Sequence, residues 1–379
     1  TTEWIMTNRD INYKEYPKLA KTFYPSEFDA DAWVKAIKAA GAKYITITTR
    51  HHDGFSLFKT ATSTYNSVDG TPFKRDIIKE MADACQRNGI KLHLYYSHLD
   101  WGREDYPVGR TGTGTGRPKE KAKWASYYKF MNTQLTELLT NYGKVGAIWF
   151  DGWWDHDSDA KPFDWQLEEQ YALIHKLQPQ CLIANNHHHT PFPGEDIQIF
   201  ERDLPGENKA GLSGQSIGRL PLESCQTINE HWGYNITDTL YKSPKELIQM
   251  LVRAAGKNAN LLLNIGPEPG GALPALALDR LQAIGEWLNK YGETIYGTRG
   301  GIVTPHEWGV STQRGNKLYI HILNCMDTSL FIPTGNHKIK SATVFGTNKR
   351  VNFTKTGNGI TLNLDTIPTD IDYIVELTL

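Results

Sequence analysis

The 379-residue chain has only four cysteines, Cys85, Cys181, Cys225 and Cys325, far apart and with no C-x-x-C pair. That spacing supports neither a thiolate zinc site nor a disulfide framework. No apolar run approaches the ~18 residues of a membrane-spanning helix. Neither sign of charge is in excess: 41 Lys and Arg stand against 42 Asp and Glu. This excludes the broad basic face that sequence-independent nucleic-acid binding or docking on an acidic membrane requires. G-x-G-x-x-G, a Walker loop and H-E-x-x-H are all absent, which removes the common dinucleotide, nucleotide and zinc-protease readings. No repeat of fixed period stands out. The chain opens at Thr1 without a signal peptide, as expected of a mature or trimmed product.

Aromatic residues are plentiful, at 11% with 11 Trp and 18 Tyr. Flat side chains with a polar tip suit the faces of sugar rings, and they equally fill ordinary cores.

The first ~300 residues alternate strand-like and helix-like runs. Lys43–Thr49, Ile90–Ser97, Val145–Asp151, Cys181–Asn185, Ile197–Phe200 and Asn260–Asn264 are short apolar runs of the kind buried on both faces. Amphipathic helical patterns lie between them, at Asp31–Ala40, Asp76–Asn88, Lys123–Tyr142 and Leu276–Tyr291. Ser243-Pro244-Lys245-Glu246 is a capping box opening a further helix to Gly256. Repeated β-then-α units predict a parallel sheet covered by helices. Most strand-like runs end in polar groups, and a closed barrel gathers such ends around one mouth. An open doubly wound sheet fits the alternation as well, with its site at one switch point; the spread of polar strand ends favours an α/β, (β/α)8-like TIM barrel over residues 1–298. Beyond it, Leu318–Leu323, Ser341–Phe345, Ile360–Leu364 and Tyr373–Leu377 alternate between turns, with Asn358-Gly359 as a hairpin signal. Residues 299–379 are expected to form a separate antiparallel β-domain. Gly112–Gly116 lies in a basic stretch without the Lys-Ser/Thr of a phosphate loop and reads as a mobile loop or lid.

Two acids stand out. Asp151 ends the run VGAIWF and precedes Gly152 and two tryptophans; the plain alternative is a cap on the next element. Glu201 follows Ile197–Phe200, and Glu223 in PLESC competes with it. Glycoside hydrolysis needs two carboxyl groups in different protonation states, and burial near apolar rings keeps one protonated. A solvated loop acid is the plain reading of either glutamate. His51-His52-Asp53 and His187–His189 are candidate metal ligands, sugar-hydroxyl partners or structural histidines. In a continuing strand His51 and His52 would face opposite ways. A metal-dependent hydrolase is thus a rival reading.

Glu3-Trp4, Arg9-Asp10, the run from Arg50 to Phe55, Tyr95-Tyr96-Ser97, Trp149-Phe150-Asp151-Gly152, Trp232 to Asn235 and Asn260 to Pro267 together resemble the family 29 glycoside hydrolases, the retaining α-L-fucosidases. The resemblance covers essentially the whole chain. It implies a (β/α)8-like catalytic barrel followed by a C-terminal antiparallel β-sandwich, and exo-acting release of terminal α-L-fucosyl residues by double displacement, with a fucosylated glycan as partner and no cofactor or metal. It also implies an exported location. Asp151 matches the nucleophile. Glu201 best matches the acid/base, with Glu223 the runner-up. His51, His52 and Tyr96 match fucose-pocket residues, Glu3 and Trp4 match residues near the sugar, and Trp232 matches a wall near the 6-methyl. Two departures accompany the match. The family begins with a strand bearing F-x-x-H-W-G, and this chain starts after it, so the first barrel strand and its histidine are expected to be missing. That gap leaves a non-catalytic fucose-binding protein as a further reading. An arginine common after the strand matching Cys181–Asn185 is replaced by Asn186 and His187, a neutral substitution that alters the field on Asp151 and places His187 among the sugar contacts.

Overall fold

The computed structural model describes residues 2–379. Seven parallel strands follow one another in space as they do in sequence. β1 (Tyr44–Arg50), β2 (Lys91–Ser97), β3 (Ala147–Asp151) and β4 (Leu182–Asn186) form one sheet. β5 (Gln198–Glu201), β6 (Leu222–Thr227) and β7 (Ala259–Asn264) form a second, and a parallel bridge from Ala184 to Ile197 links the two. β1 and β7 are not hydrogen-bonded to each other, so the seven strands curl toward a barrel without closing it.

The short α1 (Ile5–Asn8) sits against the 113–115 turn beside the cavity mouth, and longer helices pack outside the wall: α2 (Ala30–Ala39), α3 (Ile77–Asn88), α4 (Trp124–Asn141), α5 (Leu167–Leu177), α6 (Pro244–Gly256) and α7 (Ala275–Tyr291). Their starts are set locally. Asp29 accepts from Ala32 N, Asp76 from Lys79 N, and Ser243 from Glu246 N while Glu246 bonds back to Ser243 N. Each such cap is worth about 1 kcal/mol. Leu92, Leu94 and Tyr96 of β2 join Ile78, Met81, Leu135 and Leu138 in the largest apolar cluster, which locks strands to helices.

After α7 the chain builds two antiparallel sheets. β8 (Arg299–Gly300), β9 (Gly309–Arg314), β10 (Lys317–Ile322), β12 (Ser341–Val344) and β15 (Tyr373–Thr378) make one, ordered β12-β15-β10-β9-β8. β11 (Ser329–Ile332), β13 (Asn352–Thr356) and β14 (Gly359–Asn363) make the other. Leu318, Ile320, Val375 and Leu377 of the first meet Ile332, Ile360 and Leu362 of the second in one core. The first sheet's other face rests on α6 and α7 through Val310, Tyr319 and Ile374. Gly256 makes that seat possible, since a Cβ there would lie 2.3 Å from Val310 Cβ.

Two expectations need correction. The 102–119 segment is no free lid. Asp155 accepts from both the amide and hydroxyl of Thr111, Thr7 accepts from Gly112 N, and Thr115 is fully buried. The hairpin turn is Gly357-Asn358, because Thr356 pairs with Gly359.

Candidate active site

The strand ends bring the chemistry together. β1 stops at Arg50, so His51 and His52 are both free to turn to the mouth, with ring centroids 4.0 Å apart. Ser97, Asp151 and Asn186 are level across β2, β3 and β4. Gly152 then adopts φ +97°, where a Cβ would crowd Leu99 N at 3.0 Å; only glycine turns the chain so sharply away from Asp151. Glu201 ends β5 one strand further round. A cavity of about 1230 Å³ opens here and is lined by Asp151, Glu201, His51, His52, Tyr95 and Trp232, among others. It continues down between β1 and β7, along Tyr44–Thr48 and Ala259–Asn264.

Asp151 and Glu201 are joined by one amide. Asn186 Nδ2 donates to Glu201 Oε2 at 2.8 Å and reaches Asp151 Oδ1 at 3.4 Å. These two legs cap the Glu201 Oε2 to Asp151 Oδ1 separation at 6.2 Å. Tyr95 donates its hydroxyl to Asp151 Oδ2 at 2.7 Å, and Trp154 Nε1 donates to Oδ1 at 3.1 Å. Burial and the Asp151 charge push the Tyr95 phenol well above its ordinary value, so it stays a donor. Glu201 Oε2 also meets His188 Nε2 at 2.7 Å.

Aromatic rings wall the cavity. Trp4 stacks on Trp154 at 5.6 Å and meets His52 edge-on at 5.8 Å. Glu3 accepts from Gly233 N at 3.2 Å, fixing the start of the chain beside Trp232. The Arg202 guanidinium lies 4.8 Å over the Trp232 ring, and Arg110 lies 5.2 Å over Trp154.

Burial, with the His52 ring beside it, pushes His51 down to about 3. Burial, with the Arg50 charge, pushes His52 down to about 3 as well. Both are neutral near neutral pH. Ser97 Oγ gives its single proton to Leu99 O at 2.7 Å, so at 2.6 Å it must accept from His52 Nδ1. The neutral His52 therefore presents a bare Nε2, 3.5 Å from Asp151 Oδ2. That nitrogen is placed to accept from one hydroxyl.

Among the described residues one donor set has metal-ligand proximity: His51, His52 and Asp151, with ligand atoms within 4.8 Å of one another. Both Asp151 oxygens already accept hydrogen bonds and His52 Nδ1 is committed to Ser97.

Three residues expected at the sugar are elsewhere. Tyr96 is fully buried among the helices, donating to Gln134 Oε1 and accepting from Arg50; Tyr95, one residue earlier, faces the cavity. His187 turns back to Glu195 at 2.8 Å and stacks on Phe192 at 3.8 Å, and His188 faces the cavity in its place. Glu223 sits inside the strand wall, a layer below the mouth, where Tyr44 and Trp149 occupy its two oxygens at 2.5 and 2.8 Å. Burial pushes its carboxyl up. Glu3, Trp4, His51, His52 and Trp232 do line the cavity. Sequence reasoning missed Tyr95, His188 and Arg110. Strand parity was the available signal for Tyr95, because Leu92 and Leu94 already claim the helix-facing side of β2.

Two nearby carboxylates in an aromatic-walled mouth, at the C-terminal ends of parallel strands, form the paired-acid arrangement that glycoside hydrolysis uses. The chain belongs to the α-L-fucosidase family, whose profile matches residues 1–293. It is similar to α-L-fucosidase isoenzyme 1 of Paenibacillus thiaminolyticus, with 35% identity, 99% of this chain and 92% of that one covered, and a TM-score of 0.86. It is also similar to a Bacteroides thetaiotaomicron α-L-fucosidase solved as a trapped covalent intermediate, at 27% identity with 100% and 88% covered and a TM-score of 0.84. A putative α-L-fucosidase of Caenorhabditis elegans is 30% identical over 76% of this chain, which spans 58% of that relative's length.

Proposed function

We propose that this chain is a retaining exo-α-L-fucosidase acting on terminal fucosyl groups of glycans, with Asp151 as nucleophile and Glu201 as acid/base. The supporting observation is the Asn186 bridge. Retaining enzymes hold their carboxyls about 5–5.5 Å apart and inverting ones about 6.5–9.5 Å; one amide reaching both acids, with Glu201 Oε2 no more than 6.2 Å from Asp151 Oδ1, supports the closer arrangement. The trapped covalent intermediate of the Bacteroides enzyme is consistent with the same course.

In the first step Asp151 attacks C1 as the bond to the leaving oxygen breaks and Glu201 gives that oxygen its proton. A β-linked fucosyl ester on Asp151 results. In the second step Glu201 takes a proton from water, whose oxygen displaces Asp151 and releases α-fucose. His52 Nε2 accepts from a ring hydroxyl, His51 offers a second neutral imidazole, and Trp4, Trp154 and Trp232 close around the apolar sugar faces. The antiparallel sheets begin with β8 at Arg299, which supports a catalytic part over residues 1–298 and an accessory sandwich over 299–379. Proton NMR of the first-formed product tests the proposal. α-Fucose appearing before mutarotation is the expected result, and β-fucose appearing first overturns it.

A further inference from the structure

Three consecutive histidines follow β4 and go three ways. His187 turns inward to Glu195, His189 packs edge-on to Trp153 at 5.1 Å, and His188 reaches Glu201. His188 alone of the three lines the cavity. Its backbone lies at φ +67°, a conformation a non-glycine residue holds at a cost of order 1–3 kcal/mol and which clusters at functional sites. The strain is held by the neighbours: His187 Nδ1 accepts from His189 N at 3.1 Å while its Nε2 is tied to Glu195. The turn thus spends two buried anchors to aim one ring at one carboxyl oxygen.

That oxygen is Glu201 Oε2, which also accepts from Asn186 Nδ2 at 2.8 Å. Resting on the acid/base reading of Glu201, we propose that His188 is a positioning residue for proton delivery. With Asn186, it fills Oε2 with two N–H donors. The transferable proton is thereby seated on Oε1, the oxygen free to face the leaving group. When the glycosidic oxygen takes that proton, Glu201 becomes an anion, and the His188 bond becomes charge-assisted as the negative charge forms. The proton returns from water to Oε1 in the second step, so His188 ends the cycle unchanged.

The test is leaving-group dependence, which a merely structural role does not move. Phenyl α-L-fucoside needs a proton on its departing oxygen, whereas α-L-fucosyl fluoride needs little help. Asn tolerates the left-handed backbone but is too short to reach Glu201. His188→Asn should lower kcat/KM on the phenyl fucoside roughly 10- to 100-fold, and on the fluoride less than roughly three-fold, as loss of one charge-assisted bond predicts. His188→Gln, long enough to keep a donor near Oε2, should recover part of the phenyl-fucoside rate. Equal losses on both substrates, or none on either, overturn the proposal. Glu201→Ala, run in parallel, separates the two ideas. If it too lacks leaving-group dependence, the acid/base assignment falls. If it has that dependence and His188→Asn does not, only the role of His188 falls.

Discussion

Replacing Asn186 probes the feature that holds the two acids together. In Asn186→Ala the shared donor is lost, and a hydrogen bond to a charged group is worth about 1.5–3 kcal/mol, or roughly 10- to 150-fold in rate. Asn186→Asp is isosteric but inverts the interaction. A carboxylate oxygen at 3.4 Å from Asp151 Oδ1 repels it by about 5 kcal/mol at an effective dielectric constant of about 20. The same group crowds Glu201 at 2.8 Å. Asp should therefore be worse than Ala, by at least about ten-fold in kcat/KM at neutral pH. Part of that deficit should return as the pH falls and the new acid takes up a proton. The assay is kcat/KM for an aryl α-L-fucoside from pH 4.5 to 8, with thermal melts to establish folding. If Asn186→Asp works as well as Asn186→Ala at pH 7, the residue does not lie between the two charges and the separation argument fails.

Tyr95→Phe should cut turnover by removing the 2.7 Å donor to Asp151 while leaving the melting temperature little changed. Tyr96→Phe should do the reverse, costing about 1 kcal/mol or more in a denaturant melt through its bonds with Gln134 and Arg50, with KM unaffected. Glu223→Gln should lower stability and keep most activity, without rescue by azide; azide rescue of this variant would make Glu223 the acid/base. Acid should weaken the fold. Burial pushes His51, His52 and His98 down to about 3, and His93, with Lys91 nearby, down to about 4. Between those values and about 6.5 the unfolded chain binds more protons, so each histidine adds about 1.4 kcal/mol of stability per rising pH unit. Asp53, raised by burial to about 6, acts oppositely between about 4 and 6 and offsets one of the four. Urea midpoints should rise from pH 4.5 to 6.5, and His98→Gln should flatten the slope; a pH-independent midpoint would contradict the burial of these rings.

Much of the scaffold was legible because local chemistry and burial agree there. The apolar runs at β1 to β5 and β7 are parallel strands, and the Ser243 box opens α6 as its spacing requires. β6 was not legible. Its sequence LESCQT is polar, yet every residue is buried, because the interior wall supplies partners such as Tyr44 and Trp149 for Glu223. α5 escaped because it starts at Gln166 with a left-handed backbone and no side-chain cap. The two acids and the His51-His52 pair could be read from strand ends. The choice between neighbours, Tyr95 over Tyr96 and His188 over His187, could not be made from residue type. Parity along β2 decides the first, and a left-handed turn that no sequence rule marks for histidine decides the second. The 102–119 segment looked loose because of its glycines, but Gly109 and Gly112 are there for close approach to Asp155 and Trp101.

The central claim is a covalent sugar ester on Asp151. Incubation with 2-deoxy-2-fluoro-fucosyl fluoride, followed by peptide mass spectrometry, tests it most directly. The account predicts a single fluorofucosyl adduct on the peptide carrying Asp151, with activity lost in step. An adduct on Glu201 or Glu223, or full turnover with no adduct, would contradict it.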